Sequence, residues 1–170
     1  MKSLFLLAVA TSSMLFAFGQ DDKSKRPSPP AQAKETLASG TVVTIDYSQP
    51  SVKGRTIGKD LEPKAGKVWR TGANEATVFE VSKPVKIEGK DLPAGKYSLY
   101  TIANDGEWTI IFNKTWDQWG TEYKEADDAL RVKVKPGKAA QFAEKMTFKV
   151  DKNGTVTLLW GDRKVDFKVA

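Results

Sequence analysis

The densest run of chemically different side chains lies in residues 67–79, KVWRTGANEATVF. It combines a guanidinium from Arg70, an amide from Asn74 and a carboxylate from Glu75 with a large aromatic ring and a glycine. Residues 71–74 predict a turn, because glycine and asparagine tolerate turn conformations. Since Arg70 and Glu75 flank this turn, we expect a bidentate guanidinium–carboxylate pair between them. Such a pair either ties a structural corner or, with Asn74, lines a pocket for an anionic or hydroxylated ligand.

A second polar cluster follows the first predicted strand and consists of Ser48, Gln49, Ser51, Lys53 and Arg55. If this loop packs beside residues 70–75, then Lys53, Arg55 and Arg70 face Glu75. That combination suits a carboxylate, sulfate or phosphate group, because guanidinium groups match the geometry of oxyanions. The alternative is an exposed loop with ordinary surface charges.

A third cluster, WDQWGTEY at residues 116–123, sets two tryptophans and a tyrosine beside acidic and amide side chains. Binding sites commonly combine aromatic surfaces with a few polar groups that fix the ligand's orientation. Trp119 and Tyr123 are therefore candidate residues at the rim of a site for a glycan or a small anion. The alternative is a long loop held to the fold by its aromatic side chains.

Catalytic chemistry is narrowly limited by composition, because the chain contains no histidine and no cysteine. This excludes a Ser-His-Asp triad, a cysteine nucleophile, an imidazole base and a His/Cys zinc site. A glycosidase needs two carboxylates flanking one bond, and the candidates are Glu75 with Asp117 or Glu122. Nothing in the sequence places any two of them together, and the sequence has no calcium-loop pattern. We therefore predict no catalytic residues, no metal site and no cofactor.

Apolar and polar residues alternate with a period of two through most of the chain beyond residue 37, which predicts half-buried strands. Two runs, WTIIF at 108–112 and TLLW at 157–160, are apolar on both faces and predict central strands. Turn signals such as Asn153-Gly154 separate the runs. About nine short strands at this spacing predict an all-β fold, an antiparallel β-sandwich. Helix is scarce, with one or two turns expected within 122–129 and within 137–144.

The N-terminal residues have the layout of a secretory signal peptide, with a basic start at Lys2 and an apolar run over residues 4–18. Small residues then precede a predicted cleavage site between Gly19 and Gln20. The run is shorter than the roughly 20 residues of a membrane helix, so we expect no membrane span after cleavage. The following segment is charged and proline-rich, which predicts a flexible linker. The expected organisation is a signal peptide over 1–19, a linker over 20–36 and a single domain over 37–170.

The distribution of charge and the N-terminal pattern predict the partners and the cellular compartment. The net charge is +6 at pH 7, but the basic residues alternate with apolar ones, as in LRVKVK at 130–135. This places them on the solvent side of strands rather than in a basic cluster. We therefore expect no nucleic-acid partner, and an exported protein of the periplasm or the extracellular space.

Several segments resemble, in the same order, an uncharacterised family of exported bacterial β-proteins catalogued as a domain of unknown function. The segments are VKGRTIG (52–58), KVWRTGANEAT (67–77), IEGKDLPAGKYSLYTI (87–102), EWTIIFNK (107–114), WGTEY (119–123) and LRVKVKP (130–136). The resemblance covers most of residues 40–136 and, more loosely, the last two hairpins. It implies export and a β-rich fold, and it brings no assigned activity.

Three functions remain open from the sequence. The first is an exported, non-enzymatic module that binds a glycan, a small anion or a partner through Arg55, Arg70, Asn74 and Glu75, with Trp119 and Tyr123 at the rim. The second is a glycan-directed hydrolase that uses the carboxylates of Glu75, Asp117 or Glu122. The third is a purely structural envelope protein.

Overall fold

The computed structural model describes residues 22–170, which form eleven β-strands and two short 3₁₀ turns. The strands are β1 (Pro30–Thr36), β2 (Val42–Ser48), β3 (Val68–Trp69), β4 (Thr77–Val81), β5 (Val85–Ile87), β6 (Lys90–Leu92), β7 (Gly95–Asn104), β8 (Glu107–Asn113), β9 (Asp128–Val134), β10 (Pro136–Val150) and β11 (Thr155–Lys168). The 3₁₀ turns are Lys23–Lys25 and Glu125–Asp127. The predicted all-β fold is confirmed.

A seven-stranded antiparallel sheet forms the first layer, in the order β1-β2-β4-β7-β8-β9, with β3 also paired to β7. The long hairpin β10–β11 forms the second layer. A small hairpin, β5–β6, joins the end of that layer through a bridge between Ile87 and Val169.

The core lies between the large sheet and the β10–β11 hairpin. Phe167 of β11 packs its ring against Phe79 of β4 and Phe112 of β8, with centroid distances of 6.1 and 5.9 Å. Tyr47 of β2 meets Phe148 of β10 edge-on at 5.1 Å. Because these rings come from strands of both layers, the arrangement is that of a β-sandwich, as predicted.

The outer face of the large sheet carries a smaller apolar cluster, formed by Ala76, Tyr100 and Ile111 with Tyr123 packed on it. Strand alternation produces it, because Leu99 of β7 points into the core and the next residue, Tyr100, points outward. The segment 114–127 covers this cluster, and the rings of Tyr100 and Tyr123 lie 4.8 Å apart.

The candidate residues of the WRTGANEAT stretch lie in an interruption of one strand. Trp69 of β3 pairs with Thr101 of β7, and Thr77 of β4 pairs with Leu99. Both strands run in the same direction along one edge of β7, so Tyr100 alone separates the two paired positions. Residues 70–76 therefore leave the sheet beside Tyr100 and return to it, and we call them the 70–76 loop.

Two local expectations differ from the structure. Residues 30–36, assigned to a linker from composition, instead form β1, which pairs with β2 along its whole length. An edge strand is held by backbone hydrogen bonds, and small side chains suffice to seat it: Ala33 is buried and Ala31 packs against the core. The turn of helix expected within 137–144 is wrong, because these residues belong to β10.

The predicted signal peptide at 1–19 and the first two residues of the predicted linker lie outside the described residues. Among residues 22–170, no helix has the length and apolar character needed to cross a membrane.

Candidate functional site

The 70–76 loop is fixed from within by buried hydrogen bonds. Thr71 and Asn74 adopt positive φ angles of 50° and 57°, which turn the chain out of the sheet and back. The Thr71 hydroxyl donates to the Trp69 carbonyl at 3.2 Å, and the Thr77 hydroxyl donates to the Thr71 carbonyl at 2.9 Å. The Trp69 indole N–H donates to the Gly72 carbonyl at 3.1 Å. Side chains on this loop therefore project from a defined backbone.

The predicted ion pair between Arg70 and Glu75 does not form. Glu75 instead binds two cations of the N-terminal segment, with Arg26 Nη1 at 2.9 Å and Lys23 Nζ at 3.0 Å from its Oε1. The turn sends the two side chains apart, because Glu75 faces the incoming chain before β1 while Arg70 lies against Gly120. The ion pair predicted between neighbours across the turn is thus replaced by ion pairs between residues that lie far apart in the sequence.

Asn74, like Glu75, binds the N-terminal segment. Its side-chain amide donates to the Ser28 carbonyl at 3.1 Å. Together, Asn74 and Glu75 hold residues 23–28 against the sheet. Two of the predicted ligand-binding residues therefore bind the protein's own chain.

Glu75 is ionised over the whole physiological range. Burial opposes its charge, but hydrogen bonds from Arg26, from its own backbone N–H and from Lys23 outweigh burial and lower its pKa from 4.5 to about 2. A carboxylate held this way is a poor general acid, because its proton is lost far below neutral pH.

Arg70 is positioned by its aliphatic stem. A Cβ built on Gly120 would lie 2.0 Å from Arg70 Cδ and 2.8 Å from the Asn74 carbonyl oxygen, so only glycine fits beneath this side chain. The half-buried guanidinium makes no hydrogen bond and no ion pair with any residue of the described part of the chain. Its positive charge therefore has no carboxylate partner within residues 22–170.

Arg70 lines a depression of about 410 Å³ on the outer face of the large sheet. Its other lining residues are Glu62, Val68, Trp69, Tyr100, Gly120, Thr121 and Tyr123. Val68 is 38% exposed there. The depression thus combines one unpaired cation with apolar and aromatic surface, the combination expected of a small-molecule site.

The tyrosine hydroxyls of this depression are tied into the fold. Tyr123 donates to Asp128 Oδ2 at 2.8 Å and accepts from Arg131 Nη2 at 2.6 Å. Burial and the hydrogen bond to Asp128 raise the pKa of Tyr123 to about 12. Tyr100 accepts a hydrogen bond from the Gln118 side chain at 3.1 Å. The two tyrosines therefore contribute neutral ring surfaces at pH 7.

A second depression of about 270 Å³ adjoins the first, because Glu62, Trp69 and Arg70 line both. Arg55 also lines it, so the structure brings two of the predicted cations to one surface. The Arg55 guanidinium is partly used, since it donates to the carbonyls of Ser51 at 2.7 Å and Val52 at 3.1 Å. Lys53 does not line this surface, and we call the two adjoining depressions the Arg70 groove.

Trp119 lies beside the loop but outside the lining of the groove. Its backbone bridges that of Glu75, and the residue is 48% exposed. Asp117 and Glu122 are exposed, whereas Glu75 lines a depression with Lys23 and residues of β2. Neither Asp117 nor Glu122 lines that depression. Within residues 22–170, no cluster of acidic residues is arranged to hold a metal ion.

Comparison with known protein families identifies the family to which the chain is similar. Residues 28–169 match the family described as "Protein of unknown function (DUF2911)". The chain belongs to this family. The resemblance to an uncharacterised family predicted from the sequence is thereby confirmed, and the match begins near β1 rather than at residue 37. No curated protein and no solved structure matches the chain.

Sequence reasoning missed several residues of this candidate site. Arg26 and Lys23, the partners of Glu75, lie in a segment whose composition predicts a linker. Tyr100 was recognisable only as one residue of an alternating strand. Tyr100 lies in the groove because the chain is interrupted between β3 and β4. The alternation of apolar and polar residues in the sequence does not reveal this interruption.

Proposed function

We propose that this DUF2911 protein is an exported, non-enzymatic binding module whose site is the Arg70 groove. Its ligand carries a carboxylate, sulfate or phosphate group together with an apolar or ring-shaped part. The anionic group pairs with the Arg70 guanidinium, and the rest lies along Val68 and the rings of Tyr100 and Tyr123. An acidic sugar is one class of molecule with this combination.

The observation that carries the proposal is the unpaired guanidinium of Arg70 within the described residues. Its stem is fixed against Gly120, so its charge is already in place before a ligand arrives. Preorganisation of this kind lowers the entropy cost of binding. Arg55 adds a second positive charge along the same groove.

The absence of histidine and cysteine from the sequence and the low pKa of Glu75 both favour binding over catalysis. Export is supported by the signal-like pattern of the first 19 residues.

Calorimetric titration of the purified protein with sodium glucuronate, sodium sulfate and sodium phosphate tests the proposal. Arg70→Gln keeps most of the stem on Gly120 and removes the charge. Hydrogen bonds to charged groups contribute about 1.5–3 kcal/mol, so we expect the Kd for glucuronate to rise roughly 10- to 100-fold. Lys34→Gln, on exposed β1, is the matched control and leaves the Kd unchanged. Equal affinity of wild type and Arg70→Gln would refute the proposed site.

A further inference from the structure

The inward face of β11 changes its phase at one residue. Before Gly161, the even-numbered residues Leu158 and Trp160 point into the core, whereas the odd-numbered Val165 and Phe167 do so after it. Gly161 has a φ of 62°, and the pairing register between β10 and β11 shifts on both sides of its partner Ala143. This is a bulge, in which an extra residue reverses the faces of the strand. The residue two positions before Val165 is Arg163, which therefore shares its inward face.

Arg163 brings an unsatisfied charge to the edge of the core. Its Nη1 is buried without a hydrogen-bond partner, the only such side-chain atom among residues 22–170. Its Nη2 lies close to the backbone of Gly58, where a built Cβ would approach it to 3.4 Å. Buried polar groups in native proteins almost always have a partner. The unpartnered guanidinium nitrogen therefore indicates that a hydrogen-bond acceptor binds at this position.

Lys138 adds a second cation on the same face. It lies directly opposite Arg163 across the β10–β11 ladder, in a run of regular register. Opposite residues of an antiparallel pair share a face, and like charges there repel each other. Neither side chain forms an ion pair within the described part of the chain. An anion between them would relieve the repulsion.

The two cations line an open cavity of about 400 Å³ at the end of the sandwich. Trp108 also lines it, and its indole N–H donates to no described residue. Asp105 and Asp162 are exposed residues of the lining, so the cavity has a carboxylate rim as well as a cationic part. Such a rim accepts hydroxyl or ammonium groups from the remainder of a ligand.

We propose that this cavity is a second binding site, which takes the oxyanion of a small hydroxylated or amino-bearing molecule at Arg163 and Lys138. It is separate from the Arg70 groove, because the two share no lining residue. Its existence does not depend on the function proposed for Arg70.

The test is an NMR titration of the ¹⁵N-labelled protein with sodium sulfate, sodium phosphate, sodium acetate and glycine, followed at the Trp108 indole N–H. We expect a saturable shift of this resonance, with glycine giving a lower Kd than acetate because it adds an ammonium group. Arg163→Gln should raise the Kd at least tenfold, and Lys138→Ala severalfold. Lys149→Ala, an exposed lysine elsewhere on β10, and Arg70→Gln should leave it unchanged.

Two results would overturn the second site. One is the lack of any saturable Trp108 shift with all four probes. The other is an equal Kd in wild type and in Arg163→Gln or, if Arg163→Gln does not fold, in wild type and Lys138→Ala. A titration that survives Arg163→Gln but is lost in Arg70→Gln would assign the binding to the Arg70 groove instead.

Discussion

At the scale of single residues, Glu75 and Arg70 have opposite roles although they flank the same turn. Glu75 is paired with Arg26 and Lys23 and holds the N-terminal segment. Arg70 has no partner in residues 22–170 and lines the groove. The residue that binds the protein's own chain and the proposed ligand-binding residue thus differ in the direction in which the backbone sends each side chain.

Acid should release the N-terminal segment through Glu75. The pKa of Glu75 is lowered in the fold from 4.5 to about 2, so its stabilising contribution is present above pH 4.5 and is lost as the pH falls towards 2. We expect the amide resonances of residues 23–26 and of Ser28 to move in this window. In Glu75→Gln they should already have the released positions at pH 7.

The melting temperature of Glu75→Gln shows whether Glu75 holds only the N-terminal segment or stabilises the whole fold. Partly exposed ion pairs contribute about 0–1 kcal/mol, which in a domain of this size shifts the melting temperature by at most roughly 4 °C. Glu80→Gln, which removes a long 3.8 Å contact with Lys96, is the control and should leave residues 23–28 unmoved. A fall on the order of 10 °C in Glu75→Gln would show that Glu75 supports the core instead.

At the scale of elements, the groove depends on the contact between the 70–76 loop and the segment 114–127. Gly120→Ala inserts a methyl group where Arg70 Cδ and the Asn74 carbonyl now lie. Overpacking of this kind costs about 1–3 kcal/mol, or roughly 2–4 °C of melting temperature per kcal/mol, and should also displace Arg70 and weaken glucuronate binding.

Gly137→Ala is the matched control for Gly120→Ala, because its built Cβ meets nothing closer than the Lys164 carbonyl at 3.8 Å. Thermal melting and calorimetry on both variants give the comparison. If Gly120→Ala melts and binds like wild type, the stem of Arg70 is not fixed by this contact.

The edge strand β1 gives a second prediction at this scale. A chain that begins at Leu37, the boundary expected from composition, lacks β1 and exposes the edge of β2. Unpaired strand edges promote association, so this truncation should self-associate in sedimentation velocity. A chain that begins at Ser28 keeps β1 and should sediment in the same oligomeric state as the chain that begins at Gln20. A Leu37 truncation with the same sedimentation and melting temperature as the chain that begins at Ser28 would contradict the role assigned to β1.

At the scale of the whole molecule, the strand pattern was predictable because side-chain alternation is a local property. The central strand β8, the existence of a strand at β11 and the turn at Asn153-Gly154 follow directly from it. The predicted central position of the 157–160 run is wrong, because within residues 22–170 β11 pairs only with β10 in a two-stranded sheet, and its second apolar face comes from packing rather than from a second neighbouring strand. Long-range features did not follow. The partners of Glu75, the seating of β1 by two alanines and the phase change at Gly161 depend on contacts between distant segments, which the period of the sequence does not encode.

The candidate site was predictable in part for the same reason. Arg55, Arg70 and Tyr123 were singled out by residue type, and all three line the groove. Asn74 and Glu75 were singled out by the same reasoning and bind the chain instead. The residue type shows which groups a side chain is able to bind, whereas the backbone conformation determines which groups it contacts.

Export is the remaining prediction for the whole chain. If the pattern of residues 1–19 is a cleaved signal, the protein recovered from the producing cells should begin at Gln20. Intact mass spectrometry of the protein in cell fractions measures this. A cytoplasmic protein that retains Met1 would contradict export.

The central claim is that the Arg70 guanidinium receives an anionic ligand, and its side-chain Nε–Hε resonance reports on this directly. We would titrate the labelled protein with sodium glucuronate and follow this signal beside those of Arg55 and Arg131. The account predicts a large, saturable shift at Arg70, a smaller one at Arg55 and none at Arg131, which is held by Asp128. A static Arg70 signal through titrations with glucuronate, sulfate and phosphate would contradict it.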